Sequence, residues 1–299
     1  MPSISEFADE LWQNILKKLY DPLYESVSNS YGDMFSVLNY EVAKATERIT
    51  SGPQSWNGNA FGLMRNIAET ICIPIAAAFI TVILCWELIH LVQESNNMNN
   101  VKPDRIILVL MKFALCLLVC AKSFDIVIAF FELGSWASGK LGALTSFEVR
   151  HFDAQFNNIL PETPPVYELK MLFTLIGYKI ILIIGKLGIL ICGAIVYIRV
   201  MIWFLEILLY SAAAAIPYST WVNKEWAQVG MNYTRKMIAL AFEGFFMLLL
   251  FSIYSGVIAG ISQGGDFMQN MVMIIGCGFA LAIMMFKTGS ISASIFNAH

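Results

Sequence analysis

Six ionisable residues stand within runs of apolar sequence, where a charge is costly: Lys112, Lys179, Lys186, Arg199, Glu206 and Glu243. In hydrocarbon such groups persist when they pair, line a wet cavity or reach the headgroups. On a continuous helix Lys179 and Lys186 are seven residues apart and share a face, and so do Arg199 and Glu206. Two chemistries follow. One is an internal ion pair that fixes helix packing, for instance Glu243 with Lys179 or Lys186. The other is a set of charges along a water path or against a translocating substrate. Lys122 and Asp125, three apart, suit a pair with each other or a reach to the outer interface.

The remaining inventory argues against catalysis. The histidines are His90, His151 and His299; they form no HExxH pair, and the chain has no glycine-rich phosphate loop with lysine and no GxSxG elbow. The chain therefore reads as a non-enzyme with no catalytic residue, no cofactor and no metal site. Its cysteines, Cys72, Cys85, Cys116, Cys120, Cys192 and Cys277, all fall in apolar segments, where the thiol behaves as a small hydrophobe. Cys116 and Cys120 share a helix face, but no histidine stands near in sequence to complete a metal site. A net charge of −3 excludes a general basic surface for nucleic acid.

The elements that must hold these charges are membrane helices. The chain is 58% hydrophobic and 14% charged, with a mean hydropathy of +0.65. Its apolar runs are continuous and lack the ten-residue alternation of a barrel, so the fold class is an all-α, polytopic membrane protein. Met171 to Pro217 supplies 47 mostly apolar residues, more than twice the roughly 20 that cross a bilayer as a helix.

Ahead of the membrane helices, residues 1–66 read as an external, amphipathic and interfacial region. Met1 to Glu10 is acidic with no apolar core placed behind it, which does not read as a signal peptide. Ile4, Phe7, Leu11, Trp12, Ile15, Leu16 and Leu19 recur at helical spacing, and Asp21 with Pro22 predicts the end of that helix. It suits the membrane surface, a partner, or the rest of the chain. Ser51 to Asn66 reads as a linker, and Trp12, Trp56, Phe61 and Trp136 suit interfacial anchoring against membrane lipids.

Two membrane helices are expected within 67–131, over Ile67–Val92 and Ile106–Phe131, followed by an external loop at 132–170 with turns at Pro161, Pro164 and Pro165. The long apolar segment occupies 171–217 and a polar loop 218–236. The last two membrane helices lie within 237–286, joined at Gly264–Gly265, and a tail covers 287–299.

Basic residues near membrane ends stay on the cytoplasmic side. Lys224, Arg235 and Lys236 mark one loop, Lys102 and Arg105 another, whereas Glu132 to Lys170 holds five acidic and three basic residues. Both basic loops are cytoplasmic only if Met171 to Pro217 makes one net crossing. Five net crossings result, with the amino terminus outside and the carboxyl terminus cytoplasmic. The long segment then either pivots near Arg199 into a re-entrant return through Met201–Pro217 or forms one long bent helix. A six-span arrangement, with Lys224, Arg235 and Lys236 outside, is the alternative.

The segment from Arg199 to Pro217, RVMIWFLEILLYSAAAAIP, carries a basic residue, an acidic residue and a run of small residues before a proline. With the layout of crossings and the long external loop, it resembles the TrbL-like polytopic membrane subunits of conjugative type IV secretion systems, in the compact form of Gram-positive elements. The resemblance covers most of Ile67 to Phe286. It implies a scaffold of a translocation channel, assembled in several copies as a homo-oligomer beside other membrane subunits and the system's ATPases. DNA with its attached relaxase, or an effector protein, would contact it transiently on the way out of the cell. Two other classes fit the residues. One is a secondary transporter or small ion channel with a charged site at a broken helix, though the two halves of the chain show no obvious repeat. The other is a membrane assembly factor that conducts nothing.

The topology is directly testable. A single cysteine placed between Ser219 and Lys236 is expected to escape an impermeant thiol reagent in intact cells and to react once the membrane is opened. Labelling in intact cells would put that loop outside and defeat five crossings.

Overall fold

Backbone groups in hydrocarbon must be paired within their own segment, and this chain meets that demand with helices. The structure is a computed structural model that describes residues 4–94, 103–144, 162–261 and 267–298. Every regular element among them is helical: α1 Ile4–Gly32, α2 Ser36–Ser51, α3 Pro53–Trp56, α4 Gly58–Ile67, α5 Ile73–Glu94, α6 Pro103–Ala121, α7 Ser123–Leu144, α8 Leu169–Ala213, α9 Ala215–Tyr218, α10 Ala227–Ile261 and α11 Phe267–Ile295. The expected loop at Asn96–Asn100, the turn at Pro161 and the Gly264–Gly265 turn lie outside the described residues.

Among the described residues, four helices are long and apolar enough to cross a bilayer: Gly58–Gln93, Leu169–Ala213, Ala227–Ile261 and Gln269–Ile295. A fifth span exists if Asp104–Ala121 and Ser123–Leu144, which meet at 61°, count as one. The chain is thus an all-α, multi-pass membrane protein. Gly58–Gln93 stays continuous through a π-helical turn at Ala68–Cys72, where the Ile73 amide bonds the Ala68 carbonyl. Pro74 follows at once, and its missing N–H explains why the regular pattern is interrupted there.

Several elements differ from the sequence expectation; the linker expected at Ser51–Asn66 is helical over Pro53–Trp56 and Gly58–Ile67, and α10 begins at Ala227, inside the expected polar loop. Of the two forms expected for the long segment, the structure has the single long helix and not the re-entrant return: α8 runs unbroken for 45 residues, about 67 Å at ~1.5 Å per residue. No proline or other breaker stands near Arg199. The helix stops at Ala213 because Pro217, four residues on, cannot donate to the Ala213 carbonyl. The second membrane helix, expected unbroken over Ile106–Phe131, instead bends at Lys122, and α7 continues to Leu144 inside the stretch expected to be loop. At the other end α11 continues to Ile295, so most of the expected tail is helical.

The chain forms two compact units. The first comprises Met1–Ala45, Thr145–Ile198 and Leu250–Met285. In it α1 and the start of α2 lie along α8. The Gln13 side chain donates to the Tyr167 carbonyl at 3.1 Å and accepts from its amide at 2.8 Å. Met34 packs on Gly185, and Val37, Leu38 and Glu41 pack on Gly193. Helix α1 passes straight through Pro22, which costs only the bond to the Lys18 carbonyl. A buried stripe, Leu16, Tyr20, Tyr24, Val27 and Tyr31, carries it on. Small residues bring α8 against α11: Gly188 meets Ile275 and Phe279, and Gly278 meets Ile189 and Cys192.

The second unit comprises Thr46–Leu144, Arg199–Leu249 and Phe286–His299. Here α5 and α6 hold α9 and the 3₁₀ turn Ser219–Val222. The run of small residues before Pro217 is buried, with Ala214 at 0% and Ala215 at 1% exposure. The Cys116 thiol donates to the Tyr218 carbonyl at 3.4 Å and Cys120 to the Ala215 carbonyl at 3.5 Å, so both act as packing groups that serve a helix end. Trp56, half-buried, and Phe61, buried, pack within the unit: Trp56 stacks on Phe204 at 4.3 Å, and Phe61 meets Phe124 edge-on at 5.3 Å. Trp12 and Trp136 are exposed. Gly134 of α7 abuts the backbone carbonyl of Ala241 in α10, with no room for a Cβ.

Backbone cannot yield as a side chain can, so Gly134→Ala is expected to force α7 from α10. The loss should be about 1–3 kcal/mol, read as earlier unfolding in detergent micelles. Gly139→Ala, where a Cβ meets nothing within 4 Å, should leave the midpoint in place. Equal midpoints for both variants would refute the close approach.

Candidate functional site

The strongest polar feature of the second unit is an ion pair sealed among apolar side chains. Arg199 of α8 is 6% exposed and Glu243 of α10 is 2% exposed, and the Arg199 Nη2 donates to Glu243 Oε1. Thr288 of α11 donates its hydroxyl to the same carboxylate oxygen at 3.3 Å. Gly289 makes the space: a Cβ there would lie 3.1 Å from both Arg199 Nη2 and Glu243 Oε1. Three helices, each contributing to one electrostatic centre, are thereby held in register.

Neutral hydrogen bonds brace the pair. The Trp203 indole, one turn along α8, donates to the Leu240 carbonyl at 2.9 Å. Ser292, one turn along α11, donates to the Ala239 carbonyl at 2.5 Å. Gly244 lets Trp203 and Ile49 close over α10, and Trp56 sets its edge against Trp203 at 6.1 Å. Arg48 lies 5.4 Å over the Trp56 ring and donates to the Met201 sulfur at 3.6 Å.

Of the six charges singled out in the sequence, Arg199 and Glu243 form a salt bridge, and Glu206 lies close enough to Arg199 to interact with it electrostatically. Glu243 does not pair with Lys179 or Lys186. The fork of an arginine satisfies a buried carboxylate better than a lysine point charge. Lys179 instead spends its three donors on α1, at 2.8 Å to both Ser26 oxygens and 2.5 Å to the Ser30 hydroxyl. Lys186 is exposed and Glu206 is half-buried. Lys112 is exposed and lines a cavity of about 350 Å³ with Cys116, Trp221 and Lys224.

A second, wetter cluster sits at the bend between α6 and α7. Asp125, in the first turn of α7, accepts from Arg65 of α4 and faces Lys122 at 3.8 Å, while Arg65 also reaches Glu69 at 3.2 Å. The side chains of Arg65 and Asp125 are 44% and 47% exposed, so each contact contributes little alone. Placement at the α7 amino end adds a favourable dipole. Pairing of Lys122 with Asp125 follows from their spacing, but Arg65, sixty residues away, carries no such signal. Thr288, Gly289 and Ser292 also escape sequence reasoning. Their one signal is the small-residue run TGSISAS, which reads equally well as a tail.

The family model described as TrbL/VirB6 plasmid conjugal transfer like protein matches residues 38–215, more than half of the chain. It spans α2 through the start of α9 and includes Arg199. No curated protein and no solved structure matches the chain.

Removing one member of a buried pair strands the other charge. Arg199→Met is expected to cost about 3–5 kcal/mol, measured as loss of thermal stability in detergent, and Glu243→Leu a similar amount. The double variant should recover most of the loss. Additive losses in the double variant would show that the two side chains do not depend on each other.

Proposed function

The chain belongs to the TrbL/VirB6 plasmid conjugal transfer family, and from that premise we propose that it is a scaffold and channel subunit of a conjugative type IV secretion system. In this reading it helps move DNA with its relaxase, or a protein substrate, across the cell membrane. The family match over residues 38–215 carries the proposal, because it takes in the membrane helices from α5 to α8, although α10 and α11 lie beyond it.

The geometry suits a scaffold. A buried pair that locks α8, α10 and α11 stiffens a bundle, and the broad apolar surfaces of α6 and α8 suit lipid or neighbouring copies. Leu115 and Leu118 on α6 and Leu205 and Leu209 on α8 are each more than half exposed. Energy would come from separate ATPases, and several copies together with other secretion subunits would form the path. The cytoplasmic placement of Lys224, Arg235 and Lys236 belongs to the same proposal. It requires the bent pair of α6 and α7 to count as one crossing.

Deleting the gene while leaving the rest of the transfer cluster intact is expected to abolish conjugation, measured as transconjugants per donor, and a plasmid copy should restore it. Normal transfer by the deletion strain would end this reading.

A further inference from the structure

One face of α1–α2 is polar where its neighbours are built for hydrocarbon. In the first unit, α11 has an unbroken apolar run from Met271 to Phe286, within a candidate membrane span. Near the middle of that run Gly278 meets Ile189 and Cys192 of α8. The α8 residues on either side of this point hold the amino-terminal segment: Gly185 takes Met34, and Gly193 takes Val37, Leu38 and Glu41. Residues 34–41 therefore lie at the depth of the centre of an apolar span.

The segment has two distinct faces at helical spacing. Tyr24, Val27, Tyr31, Met34, Leu38 and Val42 are buried, none more than 5% exposed. Glu25, Asn29, Asp33, Ser36 and Tyr40 recur at intervals of four, four, three and four residues, and all are exposed. Lys44, 4.4 Å over the Tyr40 ring, continues the polar side. On α8, in the same unit, Ile180, Ile183, Ile184 and Leu187 are exposed and apolar. Lipid suits that second surface. It does not suit the first, since one carboxylate at the bilayer centre costs about 3 kcal/mol on insertion scales, and Asp33 stands beside Met34 at that depth.

We propose that α1 and α2 pass through the membrane beside α8 with the stripe Glu25, Asn29, Asp33, Ser36 and Tyr40 turned to water, forming part of the wall of an aqueous passage. That the passage is the conjugative one rests on the function proposed above; that the stripe is water-lined at membrane depth does not. A segment expected to lie outside the membrane thus becomes its polar lining, and with the later crossings kept the amino terminus moves from the outside to the cytoplasmic side.

The test uses the full chain freed of its native cysteines, reconstituted into phosphatidylcholine vesicles, with single nitroxide labels at Asp33→Cys, Ser36→Cys and Tyr40→Cys. Ile183→Cys and Leu187→Cys serve as the lipid-facing set. Labels on the stripe are expected to relax several-fold faster with a water-soluble nickel chelate than with oxygen, and labels on α8 the reverse. Oxygen preference on the stripe would show that it faces lipid, and protection from both relaxants would show that protein covers it. Nickel preference at Ile183 and Leu187 would place the whole unit outside the membrane. Each of these three results overturns the proposal. The measurement needs no conjugation, so normal mating by the deletion strain would defeat the functional reading and leave the water-lined stripe standing.

Discussion

A charge removed from water must bring its compensation with it, and in this chain that rule fixes where three long helices meet. Arg199 and Glu243 each lose hydration worth several kcal/mol on burial, so neither side chain can sit where it does without the other. The surrounding sequence follows from that need. Position 289 is glycine because the pair occupies the volume of a side chain, and Thr288 supplies the carboxylate with a further donor. Trp203 and Ser292 tie the adjacent turns by bonds to backbone carbonyls. A bundle held only by apolar contacts in lipid can slide, since lipid tails are as apolar as leucine. One paired charge removes that freedom.

The same pair accounts for the continuity of α8. An arginine in the middle of an apolar run reads as a place where the chain surfaces, because an exposed guanidinium seeks water. Buried against Glu243, it has no reason to surface, and the helix proceeds to the break set by Pro217. The turn in the chain falls instead at Lys122, where Asp125, Arg65 and Lys122 gather half in solvent. The wet cluster marks a bend and the dry pair marks straight packing. Whether the basic residues before α6 and after α8 share a side accordingly rests on α6 and α7, not on α8. If the bent pair crosses, the loops bearing Arg105 and Lys224 share a side, as the basic residues favour; if it returns, they are separated.

Much of this was legible in the sequence, and the illegible part has a common cause. Arg199 and Glu243 stand out individually, because any charge in a run such as Met171–Pro217 demands an explanation. Their partnership does not, since it depends on how two helices register and on a glycine in a third. Glu206 and Lys186 lie on equally plausible faces and are left half-buried and exposed. The helical class follows from run length alone. The extent of α1 does not, because Pro22 reads locally as a stop, and only the stripe Tyr24, Val27 and Tyr31 beyond it shows what the helix gains by continuing. Trp56 likewise reads as an anchor by composition, but it finds Trp203 and Phe204 within its own chain.

Lys179, half-buried, shows how a cation is held without a counter-charge. Its ammonium is held by three oxygens of Ser26 and Ser30, all of them neutral. Such a site satisfies every donor and leaves the positive charge uncancelled. In a dry interior that would be unfavourable, and an acidic partner like the one given to Arg199 would be expected. Next to Ser26 and Ser30 on α1 lie Glu25 and Asn29, both exposed. A lysine bound by serines beside a polar stripe is stable if water or those acids lie close enough to screen it. Lys179 and Arg199, two of the four cations of α8, thus describe two environments. Arg199 requires a carboxylate because its surroundings are apolar, and Lys179 manages with hydroxyls and a carbonyl because polar groups accompany α1 along the helix.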